Sequence, residues 1–129
     1  MEKLSKSEEQ LMAYLWQKKT AYLKELIEAY PDPKPAPTTV ATLLKRMQDK
    51  QMVSFTQRGS SREYFPLVEK PSYFSKKVKH LIRDYFDDSA IQFASFFAKE
   101  IPMDRKQWEE LKKIVDKQLK KQDDDSVSD

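Results

Sequence analysis

Between residues 50 and 67 the chain leaves helical periodicity for that of strands, and it does so around its only glycine. Val53, Phe55 and Gln57 alternate with Ser54 and Thr56, and Glu63-Tyr64-Phe65-Pro66-Leu67 forms a second short run rich in aromatics. Between them stands Arg58-Gly59-Ser60-Ser61-Arg62, with glycine where a hairpin tip needs a residue that tolerates positive φ. The segment reads as a two-stranded hairpin whose basic tip runs from Arg58 to Arg62.

Three amphipathic helices precede it. Ser5 with Glu8 three residues on has the spacing of a capping box, and Leu11, Met12, Leu15 and Trp16 then recur at helical intervals, which predicts a helix from Lys6 to Lys18. A shorter helix follows Thr20, with Leu23, Leu26, Ile27 and Tyr30 on one stripe, and Pro31 and Pro33 end it. Four of the seven prolines fall between Pro31 and Pro37, a stiff connector able to launch a new helix with Pro in its first turn. From Thr38 to Lys50 a third helix buries Val40, Leu43, Leu44 and Met47, which turns Thr38, Ala41, Thr42, Lys45 and Asp49 outward and leaves Arg46 on a flank. Three helices followed by a hairpin is the order of a winged helix-turn-helix domain.

After Pro71 the pattern is helical again. Tyr73 to Phe86 carries an apolar stripe of Phe74, Val78, Leu81, Ile82 and Tyr85, and Asp87-Asp88-Ser89 interrupts it. Ala90 to Lys99 holds Ile91, Phe93, Ala94, Phe96 and Phe97, and Arg105 to Lys121 holds Trp108, Leu111, Ile114, Val115 and Leu119. Short helices with this much apolar surface expose large patches in a monomer, and pairing with a second copy hides them. The expected fold class is mainly α with a small β-hairpin. Residues 1–70 form the winged-helix domain, 71–122 a helical dimerisation region, and 123–129 a disordered acidic tail.

Composition narrows the chemistry. With no Cys and one His, the chain has no disulfides, no thiolate nucleophile and few soft metal ligands, so neither a metal site nor a cofactor is expected. The single His80 has no nucleophile, glycine loop or metal partner in the sequence and reads as a surface or interface side chain. Adjacent carboxylates such as Glu8-Glu9 and Glu109-Glu110 diverge on helices and read as solubilising surface, so an enzyme has no constellation behind it. No run approaches the roughly 20 apolar residues of a membrane span, and the N-terminus lacks a signal-peptide pattern, which predicts a cytoplasmic protein.

A formal charge of +3 decides little, but its distribution is uneven: residues 34 to 62 hold Lys34, Lys45, Arg46, Lys50, Arg58 and Arg62 against the single acid Asp49. Hydroxyls and cations on the third helix suit a DNA major groove, where Thr offers a donor, an acceptor and a methyl group and Lys or Arg reaches phosphate or guanine. The tip Arg58 to Arg62, with Ser60 and Ser61, suits phosphates or a minor groove. The competing class is a winged-helix protein–protein adaptor without DNA binding, which would call for an apolar or acidic outer face on the third helix. Trp16 and the C-terminal aromatics could line a ligand pocket, but their helical spacing reads as core and interface.

Three stretches carry a resemblance to a known family: Leu4-Ser5-x-x-Glu8-Glu9-x-x-Met12-x-x-Leu15-Trp16; Thr39-Val40-x-Thr42-x-Leu44-x-Arg46-Met47 with Lys50 after it; and Glu63-Tyr64-Phe65-Pro66. In these the chain resembles the penicillinase repressor family of bacterial regulators, BlaI/MecI/CopY, over residues 4 to 119 and most specifically in the first 70. The resemblance implies a homodimeric winged-helix repressor that keeps resistance or transport genes off from a palindromic operator. It places recognition contacts on Thr38, Thr39, Thr42 and Arg46 and wing contacts on Arg58 to Arg62; Lys45 adds a phosphate contact on the reading above. The dimerisation residues are then Phe74, Val78, Leu81, Ile82, Tyr85, Phe93, Phe96, Phe97, Trp108, Leu111 and Val115. Members induced by a membrane-bound sensor protease are cut at an Asn-Phe step, and the corresponding place here is Phe96-Phe97. Gln51 stands where the family commonly has Gly, so a left-handed backbone there would cost on the order of 1 kcal/mol. The absence of Cys excludes the copper-responsive Cys-x-Cys branch.

Overall fold

Ser5 starts the first helix as its spacing requires: its hydroxyl accepts from the Glu8 amide at 3.2 Å while the Glu8 carboxylate accepts from the Ser5 amide at 2.8 Å. The computed structural model describes residues 3–127. Helix α1 spans Lys6–Lys18 and buries Leu11, Met12 and Leu15, and the N-terminal Leu4 is buried with them. Residues 21 and 22 depart from expectation. Ala21–Tyr22 form a short strand β1 before helix α2, Leu23–Ala29, so the helix begins at Leu23 and the sheet has a third member. Two residues are too few to carry a strand period; pairing of Ala21 with Tyr64 and of Tyr22 with Glu63 makes them a strand.

Helix α3, Pro37–Asp49, takes Pro37 at its first turn and buries Val40, Leu43, Leu44 and Met47 on one stripe. It ends in a Schellman motif: the Met52 amide donates to the Met47 carbonyl and the Gln51 amide to the Gln48 carbonyl, both at 2.9 Å. The motif needs a left-handed residue, and Gln51 supplies it at φ 60°. Because that conformation strains a residue with a Cβ, Gln51→Gly is expected to stabilise the fold by up to about 1 kcal/mol. A rise in the urea midpoint with unchanged slope checks this.

Strands β2, Val53–Arg58, and β3, Ser61–Pro66, pair antiparallel from Val53 opposite Pro66 to Arg58 opposite Ser61, giving the sheet order β1-β3-β2. The turn is therefore Gly59-Ser60 alone, with Gly59 at φ 61°, and not the five-residue tip expected from Arg58 to Arg62. Val53 and Tyr64 close the core from the sheet side.

Helix α4, Lys70–Tyr85, starts three residues before the expected Tyr73 and takes Pro71 into its first turn, where a missing N–H disrupts no helical bond. Tyr73 is its buried residue. The chain divides into two compact units, Met1–His80 and Leu81–Asp129. The second holds the end of α4, helix α5 (Ala90–Glu100), capped by the Ser89 hydroxyl, and helix α6 (Arg105–Val127), opened by a reciprocal pair between Asp104 and Gln107. Within it Phe86 packs on Phe93 and Phe96 with ring centroids 5.4 and 5.2 Å apart. No described residue of α5 or α6 is buried, and Ile91, Ile114 and Leu119 are 80%, 59% and 59% exposed. Residues 123–127, expected as part of a disordered tail, continue α6; the expected tail residues Ser128 and Asp129 lie outside the described residues. No helix among the described residues is long and apolar enough to cross a membrane.

Candidate nucleic-acid interface

The stripe of α3 that packs inward dictates what faces out. Thr38, Thr39, Thr42, Lys45 and Arg46 are all exposed, and Thr38, Thr39, Thr42, Leu43 and Arg46 line one shallow surface depression. The Thr42 hydroxyl donates to the Thr38 carbonyl at 2.8 Å, so outward it offers a lone pair and a methyl group and no donor. Lys45 meets Asp49 one turn on at 3.1 Å, with both side chains largely exposed. Such a pair is worth about 0.3–0.5 kcal/mol and yields readily to a phosphate. Arg46 has no ion-pair partner among the described residues.

The wing differs from expectation in the placing of its arginines. Successive residues of a strand face opposite sides, so Arg62 shares a face with Phe55, Gln57 and Tyr64, and Arg58 shares the other with Thr56 and Glu63. Accordingly the Arg62 guanidinium sits 4.3 Å over the Phe55 ring, while Arg58 reaches Glu63 at 3.4 Å. Both arginines remain exposed, and so do Ser60 and Ser61. The two cations thus flank the ribbon, and a cation–π contact of about 0.5–1 kcal/mol steadies one of them.

Two of the six cations of the basic segment serve the fold instead. Lys34 donates to the Glu28 and Tyr30 carbonyls and so closes the C-terminal end of α2. Lys50 donates to Glu8 at 2.7 Å and to the Lys3 carbonyl at 3.1 Å, joining the start of α1 to the end of α3. Glu8 is 2% exposed, and its neighbour Glu9 accepts from Lys77 at 2.6 Å and from the Tyr73 hydroxyl, so neither is the solvated carboxylate that adjacency in sequence suggests. Burial alone would raise the pKa of Glu8; the hydrogen bond from Lys50, the interactions with Ser5 and the Lys50 charge outweigh it and hold the carboxyl below its ordinary value of 4.5. Burial and the Glu9 carboxylate push the Tyr73 phenol up. Sequence spacing cannot show these pairs, because the partners lie more than 40 residues apart.

The expected interface residues fall in both units. Phe74 packs on Trp16 and Tyr73, with centroids 5.8 and 5.1 Å away, and is still 38% exposed; Val78, Leu81, Tyr85, Phe96 and Val115 are exposed. Ile82, Phe93, Phe97, Trp108 and Leu111 are partly covered, and His80 is exposed. Trp16 is partly buried against the core and donates its indole N–H to the Val68 carbonyl at 2.8 Å. Phe96 and Phe97 sit in the middle of α5.

Three helices with an exposed hydroxyl-and-cation face on the third, followed by a paired ribbon with arginines beside its turn, define a winged-helix regulator of transcription. The chain belongs to the penicillinase repressor family, whose model matches residues 4–117, and is a repressor of that type rather than an enzyme. It is similar to the methicillin resistance regulatory proteins MecI of Staphylococcus aureus and Staphylococcus epidermidis, each 25% identical over 115 residues that cover 88% of this chain and 94% of theirs. Among solved structures it is similar to Bacillus licheniformis BlaI, in its monomeric form in complex with the blaP half-operator. That match has 22% identity and a TM-score of 0.48 over 56% of this chain and 89% of the other. The CopR repressor structure matches with 30% identity and a TM-score of 0.44 over 53% of this chain and all of the other.

Proposed function

We propose that the protein is a homodimeric repressor that binds a palindromic DNA operator and holds a resistance or stress operon off. The observation that carries this is the outer face of α3, where Thr38, Thr39, Thr42, Lys45 and Arg46 stand exposed on a helix whose inner face is locked in the core. Thr38, Thr39 and Thr42 meet base edges and Lys45 and Arg46 the phosphates, with Arg46 within reach of guanine. The wing enters edge-on, so that Arg58 and Arg62 on its opposite faces address the two phosphate walls of a minor groove while Ser60 and Ser61 approach the backbone.

A two-fold dimer sets two such helices in successive major grooves roughly 34–36 Å apart. The dimerising surface is the apolar face of the helices after residue 70, which includes Leu81, Tyr85, Phe96 and Val115. Induction needs an event that weakens the dimer, such as cutting at Phe96-Phe97 by a membrane-bound sensor protease. Because both residues lie inside α5, the protease must first open that helix.

The reading is tested by gel shift on a palindromic and a random duplex at the same salt. The palindrome should bind tighter, whereas equal affinity refutes an operator-specific protein. Arg46→Ala and Arg58→Ala should each weaken binding and reduce the slope of log affinity against log salt by about one, the signature of one lost phosphate contact. Unchanged slopes would remove those residues from the interface.

A further inference from the structure

Away from α3, the last turns of α1, the end of β3 and the start of α4 border an open cleft of about 800 Å³. Its volume lies within the roughly 300–1,000 Å³ of small-molecule sites. Ala13, Trp16 and Gln17 are one helical face of α1, and exposed Ala13 presents only a methyl group to the cleft. Trp16 forms a rigid wall: its indole N–H is held by Val68 and its ring by Tyr73 at 5.8 Å. Phe65 and Pro66, at the end of β3, also line it, and both are partly exposed residues that belong neither to the buried core nor to the side chains packed on it.

The polar rim is cationic. Lys19 and Lys70 line it without an ion pair among the described residues, against the single acid Glu69, and the positive end of the α4 dipole opens there too. Lys19 also holds a backbone conformation of φ 72°, ψ −46°, in the strained γ-turn region. Strain of that kind gathers at ligand clamps and switch regions. We infer that this cleft binds a small aromatic carboxylate, its ring against Trp16 and its anionic group at Lys19 and Lys70. A phosphate dianion fits less well, because Glu69 opposes it and two flexible lysines supply few fixed donors.

The test is an NMR titration of the ¹⁵N-labelled full chain with 2-naphthoate, in the absence of DNA, so that its outcome is independent of the operator reading. The Trp16 indole N–H and the amides of Gln17, Lys19 and Phe65 should shift saturably while the Trp108 indole stays in place. Neutral naphthalene-2-carboxamide should bind about fivefold more weakly, and Lys19→Met with Lys70→Met should weaken naphthoate about fivefold while sparing the amide, the upper end for ion pairs at an exposed site. Ala13→Leu, at an exposed helix position where the fold is not at risk, should abolish both. No saturation by about 10 mM, equal binding of acid and amide, or binding that survives Ala13→Leu would overturn the assignment.

Discussion

Lys50→Met is expected to destabilise the winged-helix unit by about 3 kcal/mol, because it strands the Glu8 carboxylate in the core without its cation. The figure is the lower end for breaking a buried pair, since the Lys50 side chain is 24% exposed and water partly reaches the site. Glu8→Gln in the same background should recover much of the loss: Gln at this position still closes the capping box with Ser5, and a neutral amide replaces an unpaired charge. Urea unfolding of the single and double variants reads both effects, and a single variant as stable as the parent would show that the pair contributes nothing.

The pair also predicts an acid limb. A carboxyl whose folded pKa is depressed adds stability that is present above its unfolded value of 4.5 and is lost as pH falls through the folded value. Glu9, held low by Lys77 and Tyr73 against the opposing effect of burial, acts in the same sense. Stability should therefore be flat near neutrality and decline below about pH 4.5, and the decline should be shallower in the Lys50→Met, Glu8→Gln protein.

Val115→Asp is expected to produce the largest change in DNA affinity although it lies far along the chain from α3. Val115 is 49% exposed on a helix with no buried described residue, so a carboxylate there leaves the monomer intact and opposes only a covering partner. On the dimer proposed above, a monomer loses the effective concentration that the first bound half confers on the second, and affinity for a palindrome should fall by about 10²–10⁴. Half-site affinity and the unfolding of the winged-helix unit should not change. Sedimentation velocity and gel shifts on both duplexes check this, and a variant that still sediments as a dimer would move the interface elsewhere.

Much of the candidate site is legible in the residues. The stripe Val40, Leu43, Leu44, Met47 admits one inward face, so the outward placing of Thr38, Thr42 and Lys45 follows from 3.6-residue geometry alone. The Ser5–Glu8 box, the bounds of α1 and the left-handed strain at Gln51 follow from local rules in the same way. Such features depend on neighbours a few positions apart, and those are written in order along the chain.

What the residues do not reveal is pairing at a distance. Ala21–Tyr22 become a strand only because β3 passes beside them, and the wing arginines fall on opposite faces because the register sets the turn at Gly59-Ser60. Lys34 and Lys50 count as cations in any sum over the basic segment, yet one closes α2 and the other neutralises a buried glutamate 42 positions away. Local periodicity thus determined which faces exist and what chemistry each carries. Tertiary packing decided which charges remain for a partner, because desolvation and ion pairing depend on distance in space and not on order in the chain.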